Sequence, residues 1–307
     1  MQTDHLSYAS PMHPLWKRAF IRAVENASGR RRLLPIYARW CETVAGKSPR
    51  MMGDMLSLIG TRLDIDGDWP PNLAPTEPVV MVANHPFGIA DGIALTVLAE
   101  ALGRPYRILV NKDFLSVPEV RDIVLPIDFD ETPEAVETNL ATRAEARRLL
   151  AQGVTLVIFP AGGVATSERL FGRVEELPWK TFVARLVQAS RATVLPVFVE
   201  GRNSTLFQMA SRVSLTLRLA LLVSEFRRSV GARLSVHVGL PVPFATLENP
   251  RDRRALTDEL YARVHQQHPE NRNRPIASLR PRAASERRRF PWDRPSRPVR
   301  RRISTVT

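Results

Sequence analysis

Residues 79–83 read Val79-Val80-Met81-Val82-Ala83, a short continuous run of apolar side chains. A strand that is buried on both faces has this composition, whereas a strand with one face in water alternates polar and apolar residues. A polar loop follows the run at once, and residues 92–102 then show helical spacing that ends at Gly103. The stretch therefore predicts a central strand, a loop at the edge of a sheet, and a helix that packs on that sheet.

The same order of elements continues along the chain. Apolar or alternating runs predict strands at 106–110, 154–159, 193–199 and 233–240, and helical patterns occur at 133–151, 179–189 and 250–267. Alternation of strand and helix is typical of an α/β fold, in which a largely parallel central sheet is flanked by helices. Ligands in such folds bind beyond the carboxyl ends of the strands, so the loops that follow strands are the place to look for a site.

The two ends of the chain differ from this region in composition. Residues 12–60 show three helical patterns, and a polar, proline-rich stretch over 66–78 leads into the body. Residues 271–307 hold twelve arginines against two acidic residues, with prolines among them, a composition that cannot form a packed core. We therefore predict an N-terminal helical segment (1–65), an α/β domain (66–270) and a disordered, basic C-terminal tail.

Positive charge is concentrated in these two ends. The formal net charge is +13, of which residues 1–50 contribute +6 and residues 271–307 contribute +10, so the middle of the chain carries −3. The sequence has neither a signal-peptide pattern nor a run of the roughly 20 apolar residues that span a bilayer. Its single cysteine, Cys41, favours a reducing compartment. We expect a cytoplasmic protein that associates peripherally with the inner face of the cell membrane.

Three loops that directly follow predicted strands contain polar residues or glycines. They are Asn84-His85-Pro86-Phe87-Gly88-Ile89-Ala90-Asp91, Asn111-Lys112-Asp113 and Phe159-Pro160-Ala161-Gly162-Gly163. A histidine titrates near ~6.5 and suits a general base, and a nearby carboxylate can fix its tautomer. Adjacent glycines can present N–H groups to an anion. Each feature alone also has a plain structural explanation: a histidine at the sheet edge, a helix-capping aspartate, a tight turn and a solvated lysine.

Together, the loops resemble the four sequence blocks of the lysophospholipid (glycerolipid) acyltransferase superfamily. The blocks in this chain are Asn84-His85 with Asp91, Lys112 with Leu115 and Pro118, Phe159-Pro160 with Gly162, and Val194-Leu195-Pro196-Val197. They occur in the superfamily's order and look most like its bacterial branch that includes hemolysin-like and ornithine-lipid O-acyltransferases. The resemblance covers residues 77–245.

This resemblance implies an enzyme, an O-acyltransferase. His85 would be the general base and Asp91 its orienting partner, so that an acceptor hydroxyl attacks the thioester of acyl-acyl carrier protein or acyl-CoA directly. Further residues fall on substrate-binding positions or close to them: Asn84, Lys112, Phe159, Pro160, Gly162, Gly163 and Arg202. We expect no cofactor beyond the thioester co-substrate, and no metal, because the other histidines show no ligand spacing.

Three departures from the superfamily's pattern bear on the substrate. Five residues separate His85 from Asp91, one more than is usual there, and Ala161 stands where the third block usually has a glutamate. The second block usually includes a glycine and a phosphate-reading arginine, and only Arg121 remains, at a different offset. The last two changes remove groups expected to handle a glycerol phosphate. We therefore favour another hydroxylated lysolipid as the acceptor, such as a lyso-ornithine lipid.

The basic tail leaves a second function open, that of an inactive acyltransferase-like binding protein. Its arginines suit an anionic membrane surface, and they also suit nucleic acid or an acidic acyl carrier protein. Phe290 and Trp292 lie within the basic run and favour the membrane interface. The expected partners are thus a lysolipid acceptor, an acyl carrier protein or CoA thioester, and an anionic membrane. Nucleic acid is disfavoured.

Overall fold

The computed structural model describes residues 14–130, 132–167, 174–213 and 215–281. Its strands are β1 (Arg62–Asp66), β2 (Val79–Ala83), β3 (Tyr106–Asn111), β4 (Val124–Ile127), β5 (Thr155–Ile158), β6 (Thr166–Ser167), β7 (Val174–Glu175), β8 (Thr193–Val199) and β9 (Arg233–Val238). Its α-helices are α1 (Leu15–Ala27), α2 (Arg30–Thr43), α3 (Met51–Leu58), α4 (Ile89–Ala101), α5 (Pro133–Ala151), α6 (Phe182–Ser190), α7 (Thr205–Val213), α8 (Leu215–Ser229) and α9 (Arg253–Gln266).

Seven strands form the central sheet, in the order β1-β9-β8-β2-β5-β3-β4. The five strands from β8 to β4 run parallel to one another. β9 pairs with β8 in the antiparallel sense, and β1 runs parallel to β9. A largely parallel sheet flanked by helices confirms the predicted fold class.

The fully buried strands carry side chains into two separate layers. Val80, Val82 and their neighbours on β5 and β8 pack against α5, α6 and α9. Val79, Met81 and Ala83 point to the other face, where they pack against α4. Because alternate residues of a strand point to opposite faces, both sets must be apolar. This explains the unbroken apolar run from which the fold was predicted.

The N-terminal helices and α8 extend the α4 side of the domain. α8 packs against α1, α4 and α7, and α3 is tied to α4 because Glu100 accepts the main-chain N–H groups of Met52 and Gly53. β1 begins at Arg62, inside the segment predicted to be helical. Its sequence alternates charged and apolar residues, as an edge strand does. None of the described helices is long and apolar enough to cross a bilayer.

The first eleven residues of the predicted tail, 271–281, lie against the body. Arg272 pairs with Asp66 at the end of β1, and Arg280 lies 3.0 Å from a carboxylate oxygen of Glu248. Leu279 is buried. The remaining prediction for the tail, including Phe290 and Trp292, concerns residues 282–307, which lie outside the described residues.

Candidate active site

The carboxyl ends of β2 and β8 are tied together by Asn84. Its side-chain amide donates to the carbonyl oxygen of Val199 at 2.8 Å, and its side-chain oxygen accepts the Val199 N–H at 2.7 Å. Asn84 was predicted to bind substrate, but its side chain is buried and both ends are used within the sheet. The clamp fixes the point at which the chain leaves β2, and the next residue is His85.

His85 and Asp91, the predicted catalytic pair, are brought together. Nδ1 of His85 lies 3.1 Å from Oδ2 of the fully buried Asp91. The contact is a close approach rather than an aligned hydrogen bond. Such contacts often tighten when substrate binds. Asp91 is held in place because Oδ2 also accepts the N–H of Phe87 and Oδ1 accepts that of Gly92, each at 2.9 Å.

The turn at Gly88 accommodates the five-residue spacing between the two. Gly88 has a φ of +97° and precedes α4, which places Asp91 in the first turn of that helix. A β-carbon at position 88 would lie 3.0 Å from the Leu222 side chain and 3.2 Å from that of Val164. Glycine is therefore required here both by its backbone conformation and by the closeness of these neighbours.

The loop after β5 packs directly on His85. The Phe159 ring stacks on the imidazole with centroids 4.2 Å apart, and the N–H of Ala165 donates to the His85 carbonyl at 2.8 Å. Between them, Gly162 has a φ of +67° and closes a tight turn on Phe159. Pro160 accepts a main-chain hydrogen bond from Lys180. The predicted residues of this loop thus lie beside His85, and Gly163 follows the turn, against Leu177.

Lys112 and Arg202 are the two cations that were predicted to bind substrate. Their surroundings in the structure suit that role less well than their positions in the sequence indicated. The Lys112 ammonium lies 2.7 Å from carboxylate oxygens of both Asp128 and Asp130. These two partners raise the pKa of Lys112, so the ammonium keeps its proton. Their negative charges compensate its positive charge. Arg202 lies in an exposed position in the segment between β8 and α7.

Lys180, which the sequence analysis did not select, lies over the glycine turn instead. Its Nζ is 5.0 Å from the centroid of the Phe129 ring, and it lies 3.6 Å from where a β-carbon on Gly162 would be. Partial burial lowers the pKa of Lys180, although the residue as a whole keeps substantial solvent exposure. Within the described residues it has no carboxylate partner. Its only sequence signal was a place near the start of a predicted helix.

Glu176 is a second residue that the sequence analysis missed. Its Oε1 accepts the main-chain N–H of His85 at 2.9 Å, and its Oε2 accepts the indole N–H of Trp179 at 3.0 Å. Burial raises the pKa of this carboxyl to about 7, and the hydrogen bonds from Trp179 and His85 oppose that shift.

His265 approaches the same carboxylate from α9, with Nε2 3.6 Å from Oε2 of Glu176. His265 is one of the histidines that showed no ligand spacing in the sequence. Its ring stacks on Tyr261 with centroids 3.8 Å apart and is only partly exposed. This contact could not be predicted from the spacing of residues along the chain, because Glu176 is distant from His265 in sequence.

Comparison with known proteins places these residues in a family. Residues 66–249 match the sequence model described as acyltransferase. Two relatives are lyso-glycine lipid O-acyltransferases, from Phocaeicola vulgatus (27% identity) and Bacteroides thetaiotaomicron (28%), each aligned over 196 residues, or 59% of this chain. The chain spans 64% and 66% of the length of these relatives. A structural neighbour is the 1-acyl-sn-glycerophosphate acyltransferase PlsC from Thermotoga maritima, with a TM-score of 0.47, 15% identity, and coverage of 74% of this chain and 79% of that one.

The family match covers more than half of the chain and includes His85, Asp91 and the other three sequence blocks. It therefore confirms, at the level of the family, the resemblance on which those blocks were selected. This chain belongs to the acyltransferase family.

Proposed function

We propose that this protein is an O-acyltransferase that moves a fatty acyl group from a thioester to the hydroxyl of a lysolipid. The observation that carries the proposal is the approach of His85 Nδ1 to within 3.1 Å of Asp91 at the carboxyl edge of the sheet. A buried carboxylate in this position holds the proton on Nδ1 and leaves Nε2 free to accept another. The names of the two relatives support a lysolipid acceptor.

The reaction needs a single tetrahedral intermediate. Nε2 of His85 takes the proton of the acceptor hydroxyl as that oxygen attacks the thioester carbonyl, and the Asp91 carboxylate stabilises the imidazolium that forms. When the intermediate collapses, the C–S bond breaks and the proton passes from His85 to the departing sulfur. The products are an ester and a free thiol, of acyl carrier protein or of CoA. The thioester supplies all of the acyl chemistry, and no further cofactor enters.

The acceptor that we propose is a lysolipid with an amino-acid head group, such as glycine or ornithine. An amino acid acylated on its α-nitrogen keeps its carboxylate, which needs a cation at the site. The positive charge of Lys112 is compensated by ion pairs with two carboxylates. Lys180 lies over the turn at Gly162, on the loop that stacks on His85, and has no such partner within the described residues. We assign the head-group contact to Lys180 rather than to Lys112.

The lipid acceptor brings the protein to a membrane surface, and α1 is the element that we propose for this contact. Leu15, Trp16 and Phe20 of α1 are exposed apolar side chains, while Ile21 of the same helix is buried against α8. Arg31 and Arg32 are exposed at the start of the following helix, α2. An exposed apolar helix surface next to basic residues suits the interface of an anionic bilayer.

Replacing the base tests the activity. Purified protein is given acyl-CoA or acyl-acyl carrier protein together with lyso-glycine lipid, lyso-ornithine lipid or lysophosphatidic acid. The proposal expects acyl transfer by the parent protein and a loss of roughly 10²–10⁴-fold in His85→Ala, with an unchanged unfolding midpoint. His268→Ala, outside the site, is the matched control and should keep the rate. Transfer to none of the acceptors by the parent protein would instead favour the inactive binding protein.

A further inference from the structure

The main-chain N–H and carbonyl of His85 are both hydrogen-bonded to residues that are distant in sequence. Its N–H donates to Oε1 of Glu176 at 2.9 Å, and its carbonyl accepts the N–H of Ala165 at 2.8 Å. With Phe159 stacked on the ring and Asp91 at Nδ1, the imidazole has little freedom to move. Glu176 is the one contact of these four that comes from the segment between β7 and α6.

The second oxygen of Glu176 connects this contact to two helices. Oε2 accepts the indole N–H of Trp179, a buried residue just before α6. The same oxygen lies 3.6 Å from Nε2 of His265 on α9. Trp179 and His265 both pack on the ring of Tyr261, with centroids 5.3 Å and 3.8 Å away. Glu176 is therefore fixed to the layer of helices on the face of the sheet opposite to α4.

A buried carboxylate in this place is costly for the fold. Removal of a carboxylate from water is unfavourable unless it is paired and hydrogen-bonded, and burial raises the pKa of Glu176 to about 7 even with two N–H donors present. An apolar side chain in this position would avoid that cost but could not hold the N–H of His85. Costly ionisable groups that touch a reactive residue are frequent at functional sites.

We propose that Glu176 is a positioning residue for acyl transfer: its carboxylate holds the main chain of His85 so that the imidazole stays against Asp91 and over Phe159. This inference rests on the acyltransferase function proposed above. Glu176 touches no reacting atom, and it acts only through His85.

Several polar or titratable groups face the Glu176 carboxylate within the described part of the chain. They include His85 from the loop after β2, Asp91 from α4, Trp179 from just before α6, and His265 from α9. A change in the charge of Glu176 therefore acts on His85 and Asp91 as well as on His265. A glutamine of the same size can still accept the N–H of His85. Its NH₂ group, however, then faces the indole N–H of Trp179, and two donors oppose each other.

The test compares Glu176→Gln with Glu259→Gln in the full chain. Glu259 is a matched control because it is also fully buried, accepts the main-chain N–H of Glu248, and accepts a side-chain N–H from Arg263. The proposal expects kcat to fall on the order of tenfold to a hundredfold in Glu176→Gln, with KM for both substrates changed much less. Glu259→Gln should keep kcat. Trp179→Phe, which removes one donor but leaves the glutamate, should give an intermediate loss.

A spectroscopic measurement makes the result independent of the activity. The imidazole signals of His85 in histidine-labelled protein are identified by their absence in His85→Ala. Glu176→Gln should shift these signals, and Glu259→Gln should not. If both kcat and the His85 signals are unchanged in Glu176→Gln, the positioning role is wrong. If the parent protein transfers no acyl group yet the signals shift as expected, the positioning stands and only the proposed function fails.

Discussion

Asp91 and Glu176 contact His85 from opposite faces of the central sheet. Asp91 belongs to α4, whose side chains pack on the face that carries Met81. Glu176 is joined through Trp179 to the layer on the other face. One carboxylate approaches the imidazole at Nδ1, and the other accepts the main-chain N–H of the same residue. The position of His85 thus depends on contacts from both helical layers, and a change on either face can move it.

Asp91→Asn should remove most of the activity without unfolding the protein. An asparagine oxygen at the Oδ2 position can still accept the N–H of Phe87, but a neutral amide cannot stabilise the imidazolium of His85 as a carboxylate does. We expect kcat to fall by roughly 10²–10⁴-fold, measured with saturating acceptor. The unfolding midpoint should change little. A variant with near-normal kcat would contradict the role assigned to Asp91.

Glu176 should make the stability of the protein depend on pH. Its pKa is about 7 in the folded protein against an ordinary value of 4.5. Between these two values the unfolded chain releases the proton and the folded protein keeps it. The contribution of Glu176 to the free energy of unfolding is therefore largest below pH 4.5. It is lost as the pH rises to and through 7, which lowers the free energy of unfolding by roughly 3 kcal/mol. Glu176→Gln lacks the titration.

The measurement is urea unfolding of the parent protein and Glu176→Gln at pH 5, 6, 7 and 8. The difference in unfolding free energy should move in favour of the glutamine variant as the pH rises. Taking the difference removes the titration of groups that both proteins share. Parallel curves for the two proteins would contradict the raised pKa.

The elements that sequence predicted well are those whose pattern follows from burial. Thr193–Val199 and Pro133–Ala151 were predicted with the observed bounds, because a strand buried on both faces and a helix with clear start and stop signals leave few alternatives. Arg62–Asp66 and Val124–Ile127 were not predicted as strands. Both are short strands at the sheet edges: Arg62–Asp66 is mostly charged and exposed, and the four residues of Val124–Ile127 include Pro126, which argues against a strand.

The residues of the candidate site also divide into those that the sequence predicted and those that it did not. His85, Asp91 and Phe159 lie at the ends of predicted elements, so their proximity follows from a parallel sheet. Glu176 lies in a loop whose path depends on tertiary packing, and nothing in the local sequence distinguishes it from its exposed neighbour Glu175. Lys112 illustrates the reverse case, since its position was correctly noted but its two carboxylate partners were not predictable from spacing.

Gly88→Ala should damage both the fold and the catalytic pair. The backbone at Gly88 has a φ of +97°, and an added methyl group would press on Leu222 and Val164. Strain of this kind costs about 1–3 kcal/mol, and any relief moves Asp91 relative to His85. Gly92→Ala is the matched control, because the Gly92 position in α4 has open space around it. Alanine there should stabilise the helix by up to about 1 kcal/mol.

Thermal unfolding and kcat of the two glycine variants give the comparison. A lower midpoint and lower kcat in Gly88→Ala, with neither in Gly92→Ala, is the expected result. Equal behaviour of the two would mean that the turn at Gly88 is not needed to bring Asp91 to His85.

Lys180→Met and Lys112→Met should separate substrate binding from stability. Lys180 has no ion pair within the described residues, so its loss should raise KM for an amino-acid lysolipid by about tenfold or more and leave the unfolding midpoint unchanged. Loss of Lys112 leaves the buried Asp128 without its cation and should destabilise the fold by about 1–2 kcal/mol. A neutral acceptor that lacks the carboxylate tests whether Lys180 contacts the head group. Its KM should not respond to Lys180→Met.

The membrane contact assigned to α1 can be tested with one apolar side chain at a time. Leu15 is 78% exposed and Leu240, on the segment after β9, is 77% exposed, so replacing each by serine removes the same side chain at equal exposure. Insertion of a leucine side chain into the interface contributes about 1.5–3 kcal/mol. Leu15→Ser and Trp16→Ser should therefore weaken binding to phosphatidylglycerol vesicles at least tenfold in a sedimentation assay. Leu240→Ser should bind as the parent protein does, and binding of all of them should weaken as salt is added. Equal loss in Leu15→Ser and Leu240→Ser would show that exposed apolar surface in general, and not α1, holds the protein on the bilayer.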